Sequence, residues 1–136
     1  LWATLRAQRI HLCEIATNSI TDEFLGYLSS YSSLEHLTLK YPGAESATES
    51  DRLADKFFDT ALPCHAASLW ALKCNAYFEG RWSFGCNNAD VISRLYRLSQ
   101  LQISVNATDV PYETSTNYSG DNAVVSRPKC HFVILM

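Results

Sequence analysis

Leu98-Ser99-Gln100-Leu101-Gln102-Ile103-Ser104-Val105-Asn106 is the stretch whose spacing decides how this chain is read. Leu101 and Ile103 alternate as the inward positions of an extended strand, and Leu98 anchors the start of that strand. The same spacing returns in Leu34-x-x-Leu37-x-Leu39 and Leu69-x-x-Leu72-x-Cys74, and in a weaker form in Ala7-x-x-Ile10-x-Leu12. The second anchors Ile10, Leu37, Leu72 and Leu101 stand 27, 35 and 29 residues apart. Periods in that range mark stacked supersecondary units rather than a two-layer enzyme domain.

Helical signals lie between these strands. The spacing predicts a helix over 21–31. Thr21 is placed as N-cap, Asp22 and Glu23 suit the positive end of the helix dipole, and Ile20 and Leu25 can form a hydrophobic staple. Phe24, Leu25, Leu28 and Tyr31 then share one face. A second helix is expected to start near Ser50, with Leu53, Ala54, Phe57, Phe58 and Ala61 as its apolar stripe and Pro63 at its end. A third is expected from Asn88, turning Val91, Ile92, Leu95 and Tyr96 inward. Every crossover between strands is long enough to carry a helix, so neighbouring strands should run parallel. Two long loops, from Tyr41-Pro42-Gly43 to Glu49 and from Asn75 to Asn87, leave the C-terminal ends of strands, where contacts are often carried.

Composition narrows the function classes. A chain of 136 residues with 47% hydrophobic and 12% aromatic residues is one domain's worth and is not a disordered polymer. The net charge is −3 and the 11 lysines and arginines are scattered, so there is no electrostatic footprint for nucleic acid. The longest purely apolar run, Phe132 to Met136, falls far short of the roughly 20 residues that span a bilayer, and no secretory signal is visible. The expectation is a cytoplasmic or nuclear protein without a membrane partner. The chain opens at Leu1 inside a repeat, and from Tyr112 onward the period gives way to Thr, Asn and Ser. It therefore reads as a segment of a longer protein, with a repeat region over 1–110 and an irregular tail over 111–136.

L-x-x-L-x-L-x-x-N with intervening helices resembles the leucine-rich-repeat family over residues 1 to about 110. The long, irregular periods look like the ribonuclease-inhibitor-like repeats of fungal F-box proteins. The segment Ile20 to Tyr41, ITDEFLGYLSSYSSLEHLTLKY, is similar to repeats of mushroom-type fungal members. The resemblance implies an α/β solenoid of about four irregular repeats, with parallel strands on the concave side and helices on the convex side. It also implies a non-enzymatic protein-protein interaction module. By this resemblance the module is expected to be the substrate-recognition repeats of an F-box-type ubiquitin ligase adaptor, whose N-terminal F-box would join cullin-ligase components. No F-box stands within this sequence. The asparagine position is also irregular: Asn106 fills it once, while Ile15, Pro42 and Tyr77 stand there in the other copies.

In a parallel stack, the residues alternating with the anchors face the open side. That gives rows of His11, Thr38, Lys73 and Gln102, of Cys13, Lys40, Asn75 and Ser104, and of Arg9, His36, Ala71 and Gln100. Arg9, His11, His36, Thr38, Lys40, Lys73, Asn75, Gln102 and Ser104 are the protein-binding candidates, against the plainer reading that they are solvated strand residues. In the second loop Tyr77, Phe78, Arg81, Trp82 and Phe84 are the residue types that dominate interface energetics. Their plainer reading is a loop packed on its own edge of the domain.

Five cysteines without a C-x-x-C pair argue against zinc, and Cys64, His65, Cys74 and Cys86 are expected to hold no metal. Cys74 fills a leucine slot as a small hydrophobe, and an odd thiol count without a secretory signal fits reduced cysteines. No G-x-S-x-G, H-E-x-x-H, phosphate loop or paired-carboxylate motif is present, so neither a cofactor nor enzyme activity is expected. The competing reading is a small α/β enzyme domain with a ligand at the C-terminal ends of its strands. Strand order separates the two, since a solenoid keeps sequential neighbours and a doubly wound sheet reverses partway. A third reading is a structural fragment that lacks terminal caps.

Overall fold

Burial alternates along the strands whose side chains are described, save that Ala71 is buried beside Leu72, and that alternation decides which face each turns inward. The computed structural model describes residues 1–109 and 131–135. Their elements are α1 (Trp2–Ala7), β1 (Glu14–Thr17), α2 (Asp22–Leu28), β2 (His36–Lys40), α3 (Ala47–Lys56), β3 (Ala71–Asn75), α4 (Ala89–Ser93), β4 (Gln100–Ser104) and β5 (His131–Leu135). The sheet order is β1-β2-β3-β4-β5, with β1 to β4 parallel and β5 antiparallel to β4. The fold class is thus α/β, as expected. The doubly wound alternative needed a reversal of strand order, and none occurs among the described strands.

Register lines the anchors up. Ile15, Leu37, Leu72 and Leu101 are neighbours across the first four strands, and Leu39, Cys74 and Ile103 form the next row. These residues are buried in one cluster with Phe24, Leu25, Leu28, Leu53, Ala54, Phe57, Phe58, Ile92 and Leu95 from the crossovers. On the other face Glu14, Ala16, Lys40 and Lys73 are exposed and Thr38, Gln100 and Gln102 half-buried. A sheet covered on one face only reads as alternation, which is why the pattern was legible.

The crossovers also deliver each strand in the same way. The carbonyl of Cys13 accepts from the amides of Glu35 (2.8 Å) and His36 (3.0 Å). That of Glu35 accepts from Trp70 (2.8 Å) and Ala71 (3.0 Å), and that of Trp70 from Ser99 (2.9 Å) and Gln100 (3.1 Å). Each of these carbonyls stands one residue after a Leu anchor: Leu12, Leu34 or Leu69.

The first strand corrects the sequence reading. Ala7, expected to anchor a strand, ends α1, and Ile10 is 47% exposed. The strand comes later, with Ile15 opposite Leu37, so the first spacing is 22 residues rather than 27. The true copy is Leu12-x-x-Ile15-x-Thr17, and its threonine in an apolar slot hid it. Two tyrosines hold 10–12 outside the sheet. The Tyr27 hydroxyl donates to the Ile10 carbonyl (2.8 Å) and accepts from the Leu12 amide (3.1 Å), and the Tyr31 hydroxyl donates to the Leu12 carbonyl (3.1 Å). Trp2 of α1 packs on Phe24 and Tyr27, with ring centroids 4.9 and 5.4 Å away.

Helix boundaries shift for identifiable reasons. Thr21 caps α2, its hydroxyl accepting from the Phe24 amide at 3.2 Å, and Ile20 and Leu25 are buried in one core. The helix stops at Leu28 because the next two serines donate back to the carbonyls of Leu25 (2.9 Å) and Tyr27 (2.6 Å). α3 begins ahead of Ser50, because Ser46 accepts from the Glu49 amide (3.2 Å) as an N-cap. Beyond Lys56 the chain widens into a π-turn over Phe57–Ala61 and tightens into a 3-10 turn over Leu62–His65, with Pro63 in its first positions. α4 ends at Ser93, so helical period no longer aims Tyr96 inward, and it is 73% exposed.

Within the tail expected to be irregular, 131–135 form β5 along β4. Residues 110–130 and 136, with most of the Thr-, Asn- and Ser-rich stretch, lie outside the described residues.

Candidate functional site: the open sheet face and the groove beside it

Parallel register assembles part of the expected face. Thr38, Lys73 and Gln102 stand side by side on β2, β3 and β4, with Ala16 of β1 completing their row. His36, Ala71 and Gln100 form the adjacent row, completed by Glu14. Lys40 pairs with Asn75, whose side-chain oxygen accepts from the Gln102 amide group at 3.2 Å. The Ser104 hydroxyl donates to the Ala76 carbonyl at 3.5 Å. Arg9 and His11 are corrections. Arg9 sits in the turn after α1 with φ 54°, and the His11 ring stacks on Tyr31 at 5.0 Å. Both precede the strand because β1 starts at Glu14, and Glu14 and Ala16 take their places.

The aromatic loop divides into two. Trp82 is 3% exposed, packs on Phe57 (5.6 Å) and Phe58 (6.1 Å), and donates from Nε1 to the Ser50 hydroxyl at 3.2 Å. Phe84 is half-buried, its amide donating to the Ser104 carbonyl (2.6 Å) and its carbonyl accepting from the Asn106 amide (2.9 Å). Asn88, itself buried, accepts from the Gly85 amide (3.1 Å) and donates to the Ser83 carbonyl (2.9 Å). Trp82 therefore pins the loop to the domain and is buried away from a partner, while Phe84 holds the loop to β4 through its backbone and keeps its ring partly exposed. Tyr77 and Phe78 remain outside, and Arg81 pairs with Asp55 at 2.8 Å.

Tyr41 joins them. Its ring stacks on Tyr77 with centroids 3.9 Å apart and planes 10° from parallel. The backbone of Tyr41 has φ 54°, a left-handed conformation that costs a non-glycine residue about 1–2 kcal/mol. Its amide donates to the Asn75 carbonyl at 3.0 Å, which ties the end of β2 to the end of β3. Between the two loops and the start of α3 lies a groove of about 600 Å³. Its walls include Tyr41, Tyr77, Phe78 and the carboxylates Glu45, Asp51 and Glu79. Partial burial and the Tyr41 hydroxyl hold the Tyr77 phenol above its usual range.

Compared with known proteins, the chain matches no family model, no curated protein and no solved structure. The chemistry of the face and groove is therefore argued from their side chains alone.

The groove offers carboxylates and phenols, which accept hydrogen bonds and attract cations. Among the described residues no group of three or more His, Cys, Asp and Glu is placed to hold a metal ion. No helix among them is long and apolar enough to cross a membrane. Cys74 is fully buried, and burial pushes its thiol up to about 12. His65 is fully buried as well, its Nε2 donating to the Leu28 carbonyl at 3.0 Å while Nδ1 has no partner among the described residues. Burial lowers the His65 pKa.

Sequence reading missed Tyr41, Glu45, Asp51 and Glu79. The available signal was an aromatic residue within three positions of two successive strand ends, at Tyr41 after Leu39 and Tyr77 after Cys74.

Proposed function

We propose that this chain is a non-enzymatic protein-binding module, a segment of a leucine-rich-repeat solenoid whose open strand face meets a protein partner. The observation that carries the reading is the sequential order of β1 to β4, with one buried face and one mixed polar face. The repeated double acceptance at Cys13, Glu35 and Trp70 supports it, because it makes each crossover a copy of the last. By resemblance, the module is the substrate-recognition part of an F-box-type ubiquitin ligase adaptor acting in the cytoplasm or nucleus. The F-box then belongs to a part of the gene product outside these 136 residues.

The test is affinity purification of the full-length gene product, with quantitation of cullin-type ligase subunits. Their recovery supports the adaptor assignment, and partners recovered without them overturn it. Partner recovery should also drop when Thr38, Lys73 and Gln102 are changed together to glutamate, at unchanged circular dichroism. Undiminished recovery overturns the open face as the binding surface.

The enzyme reading keeps one point in its favour, since the groove lies at the C-terminal ends of β2 and β3. Its lining lacks a thiol or imidazole, and the Ser50 hydroxyl there already accepts from Trp82.

A further inference from the structure

We propose that the groove between the loop after β2 and the loop after β3 binds a basic, apolar-flanked peptide segment of a protein partner. In that complex a lysine or arginine side chain lies against the exposed rings of Tyr41, Tyr77 and Phe78, and Glu45, Asp51 and Glu79 balance its charge. The inference rests on the protein-binding reading above and names the chemistry of the partner.

Ring exposure comes first. Phe24, Tyr27, Tyr31, Phe57, Phe58 and Trp82 of the crossovers are buried, whereas Tyr41 is 52%, Tyr77 59% and Phe78 83% exposed together at one rim; Trp70 and Tyr96, exposed as well, do not line this groove. Neighbouring apolar rings left in water beside a concave surface are what a docking site costs the unbound protein. The Tyr41–Tyr77 stack fixes the orientation of two of these rings before any ligand arrives. Tyr41 does so in a left-handed backbone conformation, and strain of this kind collects at ligand sites. A groove of about 600 Å³ is within the ordinary range for a site that takes a few side chains.

Charge then selects the occupant. Glu45, Asp51 and Glu79 make no ion pair among the described residues, whereas Arg81, the cation on the rim, is neutralised by Asp55 at 2.8 Å. The first turn of α3 brings about half a positive charge, which three full carboxylates outweigh. The unbalanced charge of the groove is negative, and the face of a tyrosine or phenylalanine ring is also electron-rich. A guanidinium or ammonium group is attracted by both, while a carboxylate or phosphate is repelled by both.

The probes are labelled peptides of alternating leucine and arginine, with counterparts carrying glutamine or glutamate in place of arginine. Binding to the full chain is read by fluorescence anisotropy at low and moderate salt. The arginine peptide should bind at least about tenfold tighter than the glutamine peptide, with the difference shrinking as salt rises. Tyr77→Ala and Glu79→Gln should each weaken it by about two- to fivefold, the scale of one exposed cation–ring contact. Equal affinity for the three peptides, or indifference to both substitutions, overturns the proposal. Binding of an uncharged oligosaccharide at this groove in preference to the arginine peptide overturns it too. Lys73→Glu on the open face separates this from the broader reading. If cellular partners are lost with Lys73→Glu but kept with Tyr77→Ala and Glu79→Gln, the groove proposal fails and the protein-binding reading survives.

Discussion

Replacing Leu72 with alanine removes a buried isopropyl group from the central strand of the sheet. Leu72 is fully buried, between Leu37 and Leu101 in register, so little can collapse into the space. At about 0.8 kcal/mol per buried methylene, transfer alone costs about 2.4 kcal/mol, and the residual cavity brings the total to about 3–5 kcal/mol. Lys73, the next residue, points to the exposed face, and Lys73→Ala should stay within about 0.5 kcal/mol. Urea unfolding followed by far-ultraviolet circular dichroism measures both. With a slope of about 2 kcal/mol per molar urea, the Leu72→Ala midpoint should fall by about 1.5–2.5 M and that of Lys73→Ala by no more than about 0.25 M. If Leu72→Ala fails to fold, Leu72→Val serves, at roughly 1 kcal/mol for one methylene. Equal midpoint shifts for the two positions would refute the assigned facing of the strands.

Tyr27→Phe removes the hydroxyl that holds Ile10 and Leu12, and should cost about 1–2 kcal/mol while speeding hydrogen exchange at the Leu12 amide. Unchanged exchange there would show that something else fixes 10–12. Because burial lowers the His65 pKa from 6.5, the unfolded chain takes up the proton first as acid is added. Stability should be full above about pH 6.5 and fall below it, at no more than about 1.4 kcal/mol per pH unit, and His65→Gln should flatten that slope. An identical slope in His65→Gln would assign it to other groups. Iodoacetamide should modify the exposed Cys13 and Cys86 in the native protein, but Cys74 only at the rate of unfolding. Prompt native-state labelling of Cys74, read by peptide mass, would contradict its burial.

What was legible followed from local chemistry. Leu37, Leu72 and Leu101 were placed inward because one-sided burial forces a period of two, and Thr21 was placed as a cap because Asp22 and Glu23 follow it. The start of α3 was missed although Ser46 and Glu49 carry a capping pattern, because the apolar stripe begins only at Leu53. The outward direction of Tyr96 was missed because α4 stops at Ser93, whose hydroxyl donates back to the Asp90 carbonyl at 2.7 Å.

The remaining errors are of another kind. Ile10 and Ile15 are both apolar at a tolerable spacing, and only pairing with Leu37 and the hydroxyls of Tyr27 and Tyr31 chose between them. Trp82 and Phe84 look like Tyr77 and Phe78 in the sequence, and only contact with Phe57 and Phe58 buried Trp82, and pairing with β4 half-buried Phe84. Tyr41 meets Tyr77 across 36 residues because β2 and β3 run parallel in one register. The sequence by itself therefore determined the inward face of the strands, since periodicity is a local property of side chains on a backbone. The place of the first strand, the division of the aromatic loop and the groove were decided by tertiary structure, since each depends on which distant segments pair.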